Sequence, residues 1–375
     1  MRLLFNIICV TFFISVEAIA IRVLLQENVH GVVSISSKRG FTLHDGKTRK
    51  VLEQKKPTAE IKLSLKTDKM YINGQPSQMK ALILKPVSKY FSLNHTDYDG
   101  YLLVIQDKGR WHIVNILDSE DYVFSVLKTE GWPGWPLEVY KVFAIAVRTY
   151  VMHHYFESKK MKLPYHIRNT NYHQTYHGVH SCPLIKEAVM QTSGIILTHD
   201  NKPILAMFDA CCGGVVPAHI EGVVDFIKAP YLARPYPCTF CKSFKVFSWR
   251  NEYTLDELRD LLQEGHSAIL YDIHDVKIHQ KDKAGLVKTV VTKTKNKQTV
   301  SFVSSLFSKL LKNIKSLFYS IEKHDDRIIV KGKGYGHHLG LCQWGAREMV
   351  RQGWDSHEIL DFYYPGVDFH RMEKE

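Results

Sequence analysis

Past residue 20 the chain has no apolar run approaching the roughly 20 residues a helix needs to cross a bilayer. That excludes a later membrane-spanning helix. There is no internal repeat and no low-complexity linker, which excludes a solenoid array and a long disordered tether. Acidic residues are in deficit: 38 Asp and Glu stand against 50 Lys and Arg, a formal charge of +12. A surplus of that size suits an acidic or polyanionic partner: cell-wall polymer, an anionic membrane surface or nucleic acid. No nucleic-acid motif is recognisable. The glycine-rich stretch matches neither a Walker loop nor a dinucleotide fingerprint. No paired-carboxylate motif of the kind most glycosidases use is evident in the spacing.

What is present begins with MRLLFNIICVTFFISVEAIA. One positive residue, Arg2, precedes an apolar run from Leu3 to Val16, and Ala18-Ile19-Ala20 places small residues where a signal peptidase reads. This is a secretory signal peptide over residues 1–20, with cleavage expected after Ala20; an uncleaved anchor is the alternative. The segment carries one Arg and one Glu, so its removal leaves the surplus at +12. Export argues against a nucleic-acid partner and for a soluble protein of the periplasm or cell-wall space.

Residues 21–116 read as β-rich. IRVLL, GVVSIS, FTLHD, AEIKLSL, MKALILKP, GYLLVIQD and GRWHIVNIL are short strand-like runs separated by Gly, Asn, Asp and Lys turns. At Asp118 the period changes: DSEDYVFSVLKT opens with capping residues and puts Tyr122, Val123, Val126 and Leu127 on one helical face. A Trp/Pro turn, EGWPGWP, ends that helix at Glu130. A second helix follows Pro136, which suits the first helical position. LIKEAVMQTSG predicts a helix ending at Gly194, and IILTHDNKPILAMFDA a β-hairpin turning at Asp200–Pro203. A helix capped at Thr254, strands over 274–300, an amphipathic helix over 304–318 and a strand–glycine loop–helix from Arg327 complete the chain. Strands and helices without βαβ alternation give an α+β fold. The helix at 304–318 carries Lys309, Lys312 and Lys315 and suits either a peripheral membrane contact or an ordinary packed surface.

Three constellations carry chemistry. Glu130 stands at a helix end beside Trp132 and Trp135. Apolar rings would keep such a carboxyl protonated for acid catalysis, and the rings could stack on sugars; the plain alternative is a solvated glutamate with its tryptophans in the core. GKGYGHHLGLCQWGA, residues 332–346, combines close glycines with Tyr335, His337, His338 and Gln343, either a ligand loop or a tight connection. Six cysteines remain once Cys9 leaves with the signal segment. Cys238-Thr-Phe-Cys241 has the spacing of half a zinc site; Cys211 or Cys212 could add a thiolate, and His219 or His180 a nitrogen. Disulfides are the open alternative in an exported protein.

Several segments together resemble the SpoIID/LytB family, of sporulation stage II protein D and the amidase enhancer LytB. EDYVFSVLKTEGWPGWPLEVYKVFAIAVRTY is similar to the family's run from "EDY" through a glutamate and "WP" to an "ARTY" helix. TSGIILTHDNKPILAMFDACCGG is similar to its hairpin ending in "SGG", and GKGYGHHLGLCQWGA…ILDFYYPG to its closing motif. The resemblance extends over nearly all of residues 21–375, with a lysine-rich insertion at about 277–326 inside the part from 117 onward. The sequence departs from the family's pattern where Gly131 replaces a methionine, His338 a glycine and Cys342 a serine.

The resemblance implies a peptidoglycan lytic transglycosylase. Such an enzyme cuts MurNAc–GlcNAc bonds of glycan strands and leaves 1,6-anhydro ends, with Glu130 as acid and Arg148 as a second important residue. The runner-up reading is non-catalytic: a glycan-binding enhancer of an N-acetylmuramoyl-L-alanine amidase. Zinc binding in some members favours a structural metal at Cys211, Cys212, Cys238, Cys241 and His219. Glycan strands, and a cell-wall amidase, are the implied partners.

Overall fold

A computed structural model describes residues 15–16, 19–54, 60–170, 173–265 and 272–374. Most of the expected signal peptide, residues 1–14, 17 and 18, lies outside the described residues. The chain divides into two compact units, Met1–Pro133 with Phe143–Ile196 and Phe369–Glu375, and Gly134–Val142 with Leu197–Asp368.

In the first unit the expected strands form two sheets. One has seven strands in the order Ile167–Arg168, Ala20–Gln26, Arg110–Asp118, Tyr101–Asp107, Ala81–Pro86, Phe41–Asp45, Val51–Gln54. The other has six, centred on Gly31–Ser36 and Ile61–Leu65. Ile61–Leu65 shows why they form: Ile61, Leu63 and Leu65 are buried while Lys62 points to solvent, the period-2 alternation of a sheet with one covered face. Arg110–Asp118 is buried from Trp111 to Leu117 on both faces; its apolar run is broken by His112 and Asn115, and the buried Asn115 amide donates to the carbonyls of Asp99 and Tyr101. It pairs with Tyr101–Asp107 through a two-residue turn, Lys108-Gly109, both at positive φ.

Helix α1 (Ser119–Glu130) follows directly. The Asp118 carboxylate accepts from the Glu120 N–H as its cap, and Tyr122, Val123, Val126 and Leu127 are the buried face. Helix α2 (Leu137–Lys160) begins beyond the Trp/Pro turn, and α3 (Pro183–Gln191) carries proline in its first turn.

The second unit holds two three-stranded antiparallel sheets. Ser248–Thr254, Arg327–Lys333 and Tyr319–His324 form one; Ile273–Lys281, Val287–Thr294 and Thr299–Val303 form the other. Helices α4 (Leu255–Gln263) and α5 (Ser304–Leu310) contribute Leu258, Leu262, Phe307 and Leu310 to their shared core. Helices α6 (Gln343–Arg351) and α7 (Ser356–Tyr363) close the unit.

Two expectations are corrected. The helix expected over 304–318 stops at Leu310, because Lys312 takes a left-handed φ of 60°. Its apolar face, Phe307 with Leu310 and Leu311, lies in the core, so it offers no membrane-lying surface. The hairpin at 195–210 turns where expected, with Asp200 and Asn201 at positive φ, but its return strand is only Lys202–Pro203. Phe208–Asp209 pairs instead, in parallel, with Leu341–Cys342.

Candidate functional site

Glu130 ends α1, half-buried, and its Oε1 accepts from the Thr175 backbone N–H at 2.8 Å. That donor belongs to an irregular segment fastened along α1. The Thr129 hydroxyl donates to the Thr175 carbonyl (2.5 Å) and the Ser125 hydroxyl to the Gly178 carbonyl (2.5 Å). Tyr122 donates to Gln174 Oε1 at 3.0 Å, and a ring nitrogen of His180 lies 2.6 Å from the Phe124 carbonyl. The α1 end therefore presents its carboxylate in a fixed position. Residues 174–180 are the functional support that sequence reasoning missed; their bonds run largely to backbone, so no side-chain periodicity announces them.

Arg148, which the resemblance marks as important, lies inside the first unit. It is fully buried, and its guanidinium grips Glu120, not Glu130: Nε donates to Oε1 at 2.8 Å and Nη2 to Oε2 at 2.7 Å. Nη1 donates to the carbonyls of Ala144 and Ile195. A two-pronged pair of this kind fixes geometry as well as charge. Arg148 thus locks α2 to the first turn of α1 and is a positioning residue for the helix that carries Glu130.

The two tryptophans also part. Trp132 is 41% exposed, on the turn beside Glu130. Trp135 is buried and meets Trp344 edge-to-face, with centroids 5.4 Å apart and an interplanar angle of 85°, so it braces the turn within the second unit.

Of the glycine-loop residues only Tyr335 presents an exposed ring, with the Lys315 ammonium 5.2 Å from its centroid. His338 is buried at a positive φ of 68°; its N–H donates to Asp209 Oδ2 (2.7 Å) and its Nδ1 lies 2.8 Å from the Cys212 carbonyl. That backbone conformation explains why a glycine would be at home there. His337 accepts from the Leu339 N–H through Nδ1 (3.1 Å), and burial lowers its pKa to about 4. Gln343 is buried at the start of α6. His338 and Gln343 therefore hold the loop from within.

The cysteines draw together more tightly than their spacing predicts. The Sγ atoms of Cys212, Cys238, Cys241 and Cys342 all lie within 4.8 Å of one another, and all four residues are buried. Cys342, read from sequence only as a replaced serine, is the member that was missed. Cys211 lies against the group, its thiol interacting with Cys241 and Cys342, but is not one of the four; His219 sits apart in a short 3-10 turn, Pro217–His219. All the described cysteines are free thiols. The Cys212 and Cys241 sulfurs are 3.7 Å apart, far beyond the roughly 2.05 Å of a disulfide. They match the edge of about 3.8 Å that a tetrahedron with Zn–S bonds of about 2.3 Å requires.

Cys342 caps α6, its sulfur accepting N–H bonds from Gly345 and Cys212 at 3.3 Å each. A Cβ on Gly345 would come within 2.9 Å of Cys238 Sγ and 3.2 Å of Cys342 Sγ. Burial pushes the Cys342 thiol well up, and the Cys238 thiol does the same to Cys212, so these two ionise only with a cation among the sulfurs. The donor set fits a closed four-sulfur zinc site.

Residues 107–199, which carry α1, Glu130, the Trp/Pro turn and α2, match the family model of stage II sporulation protein. Residues 240–340 match a domain of unknown function, DUF8618. The chain is 34% identical over 289 residues to an uncharacterised protein of Brachyspira hyodysenteriae, covering 76% of each chain. It is 24% identical over 274 residues to stage II sporulation protein D of Bacillus subtilis, covering 68% of this chain and 75% of that one. It is 26% identical over 287 residues to the amidase enhancer of Bacillus subtilis, covering 65% of this chain but only 39% of that longer protein. With Glu130 and its Trp/Pro turn inside the matched segment, the chain belongs to the SpoIID/LytB family.

Proposed function

We propose that the protein is exported to the cell-wall space and acts there on peptidoglycan as a lytic transglycosylase, with Glu130 as its single acid. The observation that carries this reading is the placement of the Glu130 carboxylate: fixed by the Thr175 N–H at the end of α1, beside the exposed Trp132, in the segment matching the sporulation family. Protonated Glu130 gives its proton to the oxygen linking MurNAc to GlcNAc, and the bond from the MurNAc C1 to that oxygen breaks. The substrate's N-acetyl group steadies the charge at C1. The carboxylate then takes the proton of the 6-hydroxyl as O6 attacks C1 and closes the 1,6-anhydro ring; no water is consumed. Arg148 keeps α1 in place through Glu120 and touches no substrate. Trp132, exposed on the turn that follows Glu130, offers a ring face to a sugar. Cys212, Cys238, Cys241 and Cys342 hold a structural zinc, which contributes folding energy and no chemistry.

The likeness to an amidase enhancer supports a second reading, in which the same surface binds glycan and activates a partner amidase without cutting. Peptide-free glycan strands and intact sacculi, digested with the wild type and Glu130→Gln and read by mass spectrometry, separate the two. Anhydro-ended products from the wild type alone establish the transglycosylase. Tight glycan binding without products from either protein turns the assignment to the enhancer.

A further inference from the structure

The lysine surplus is not used by the Glu130 chemistry, and part of it lines a separate cleft. In the second unit a concave site of about 550 Å³ is lined by Trp249, Arg250, Lys281, Phe318, Lys331 and Lys333, with Ser248, Tyr319, Ser320 and Gly332 completing it. All ten residues fall in the stretch matched by the domain of unknown function. Among the described residues four cations line the cleft and no acid does. Arg250 is paired with Glu252 at 2.9 Å and Lys331 with Glu322 at 2.6 Å. Lys281 and Lys333 are exposed, and neither forms an ion pair among the described residues. Two uncompensated ammonium groups on one concavity concentrate anions there.

The apolar part of the lining is built, not incidental. Trp249 and Gly332 are cross-strand partners, and a Cβ on Gly332 would stand 2.1 Å from the indole, so only glycine lets the ring lie across the neighbouring strand. The indole N–H donates to the Gly334 carbonyl at 3.0 Å, which fixes the ring. The Phe318 backbone is held between two strands, by the Lys333 N–H on its carbonyl (2.9 Å) and the Val287 N–H on the Leu317 carbonyl (2.8 Å), and its ring is fixed by packing on the core of Val215, Ile220, Leu286 and Leu339. Fixed rings with a few cations in a cleft of this size are the make-up of a small-ligand site.

We infer that this cleft is a second carbohydrate site, one that takes a glycan bearing oxyanions, with ring faces on Trp249 and Phe318 and the carboxylate or phosphate groups on Lys281 and Lys333. A lipid surface fits less well, because a membrane-lying face needs projecting apolar residues where this one is hollow. The site would hold the protein on an acidic polymer independently of any cutting at Glu130, so its test reads binding and not cleavage.

The full mature chain is titrated at low and at physiological salt with an oligogalacturonide (carboxylates), a phosphomannan oligosaccharide (phosphates), a neutral chito-oligosaccharide, and phosphatidylglycerol vesicles. One or both acidic glycans should bind, and which one identifies the source of the oxyanion. Lys281→Glu with Lys333→Glu should weaken that binding by about tenfold or more at low salt, the usual scale for reversing uncompensated charges at a site. Lys281→Gln with Lys333→Gln should give a smaller loss. Lys62→Glu with Lys69→Glu, an equal charge change on the first unit, should leave it intact, and unchanged near-UV circular dichroism verifies folding. No binding of either acidic glycan overturns the inference. So do equal binding of the neutral sugar, binding to vesicles alone, or equal losses in the two Lys→Glu pairs.

Discussion

Arg148 shows at the scale of one residue how a group can matter to a site without facing it. Its guanidinium is fully buried and bonds to Glu120 and to two backbone carbonyls. Removing one partner of such a pair strands the other, a cost of about 3–5 kcal/mol when both are deeply buried. Glu120 keeps some solvent, so Arg148→Ala should sit at or below the low end of that range, seen as a lowered midpoint in urea. Glu130→Gln, by contrast, should leave the midpoint nearly unchanged while abolishing any anhydro product. An Arg148→Ala protein of wild-type stability would remove the positioning role.

Two histidines of the first unit carry a pH dependence whose sign can be worked out. Burial holds His154 and His166 neutral, each with its pKa lowered from 6.5 to about 3. His166 Nδ1 accepts the Arg22 N–H at 3.1 Å, a bond that protonation of that nitrogen would break. Below pH 6.5 the unfolded chain takes up protons that the folded chain refuses, so stability is full above 6.5 and falls as the pH drops towards 3. The limiting slope is about 1.4 kcal/mol per pH unit for each histidine. Urea titrations between pH 7 and 5 should show the midpoint falling, and His166→Gln should flatten that fall. An unchanged slope in the variant would assign the acid sensitivity to other groups.

Among the elements, α4 is the one whose start can be tested most cleanly. Thr254 and Glu257 form a reciprocal cap, the Glu257 N–H donating to the Thr254 hydroxyl and the Thr254 N–H to the Glu257 carboxylate. Thr254→Ala should cost about 1 kcal/mol, measured by chemical unfolding, and a change within error would mean that packing of Leu258 and Leu262 alone fixes the helix. Elements of this kind were legible because their signals are local. Asp118 and Thr254 mark helix starts, alternation marks the sheet strands, and Asp200-Asn201 marks a turn. What was not legible depends on residues far apart in the chain. The return strand of the 195–210 hairpin is short because Phe208–Asp209 finds its partner at Leu341–Cys342. Helix α5 ends early because Lys312 adopts positive φ, which lysine rarely signals. Glu130 was readable from its turn, but its backbone donor at Thr175 was not. Arg148 was readable as important, but its partner was not, since nothing in the spacing chooses Glu120 over Glu130.

At the scale of the whole molecule, the cysteine cluster does for the second unit what no single element can. Cys212 and Cys342 meet from 130 positions apart, with Cys238 and Cys241 brought in from a loop between them. The half-motif at Cys238–Cys241 was visible in the sequence. Cys342 was not, because a lone cysteine in a glycine loop has no spacing partner until the chain folds. A metal that binds only the folded arrangement stabilises it by mass action, about 4 kcal/mol when free zinc stands 1,000-fold above its dissociation constant. The purified protein should therefore contain one zinc per chain by elemental analysis, and a strong chelator should lower its thermal midpoint reversibly. Cys342→Ser and Cys238→Ser should lose the metal and show the lowered midpoint without chelator, while Cys211→Ser and His219→Ala should keep it. One zinc retained in Cys342→Ser would move the fourth ligand to Cys211. Metal-free protein with intermolecular or internal disulfides, and a midpoint indifferent to chelator, would return these cysteines to the disulfide alternative.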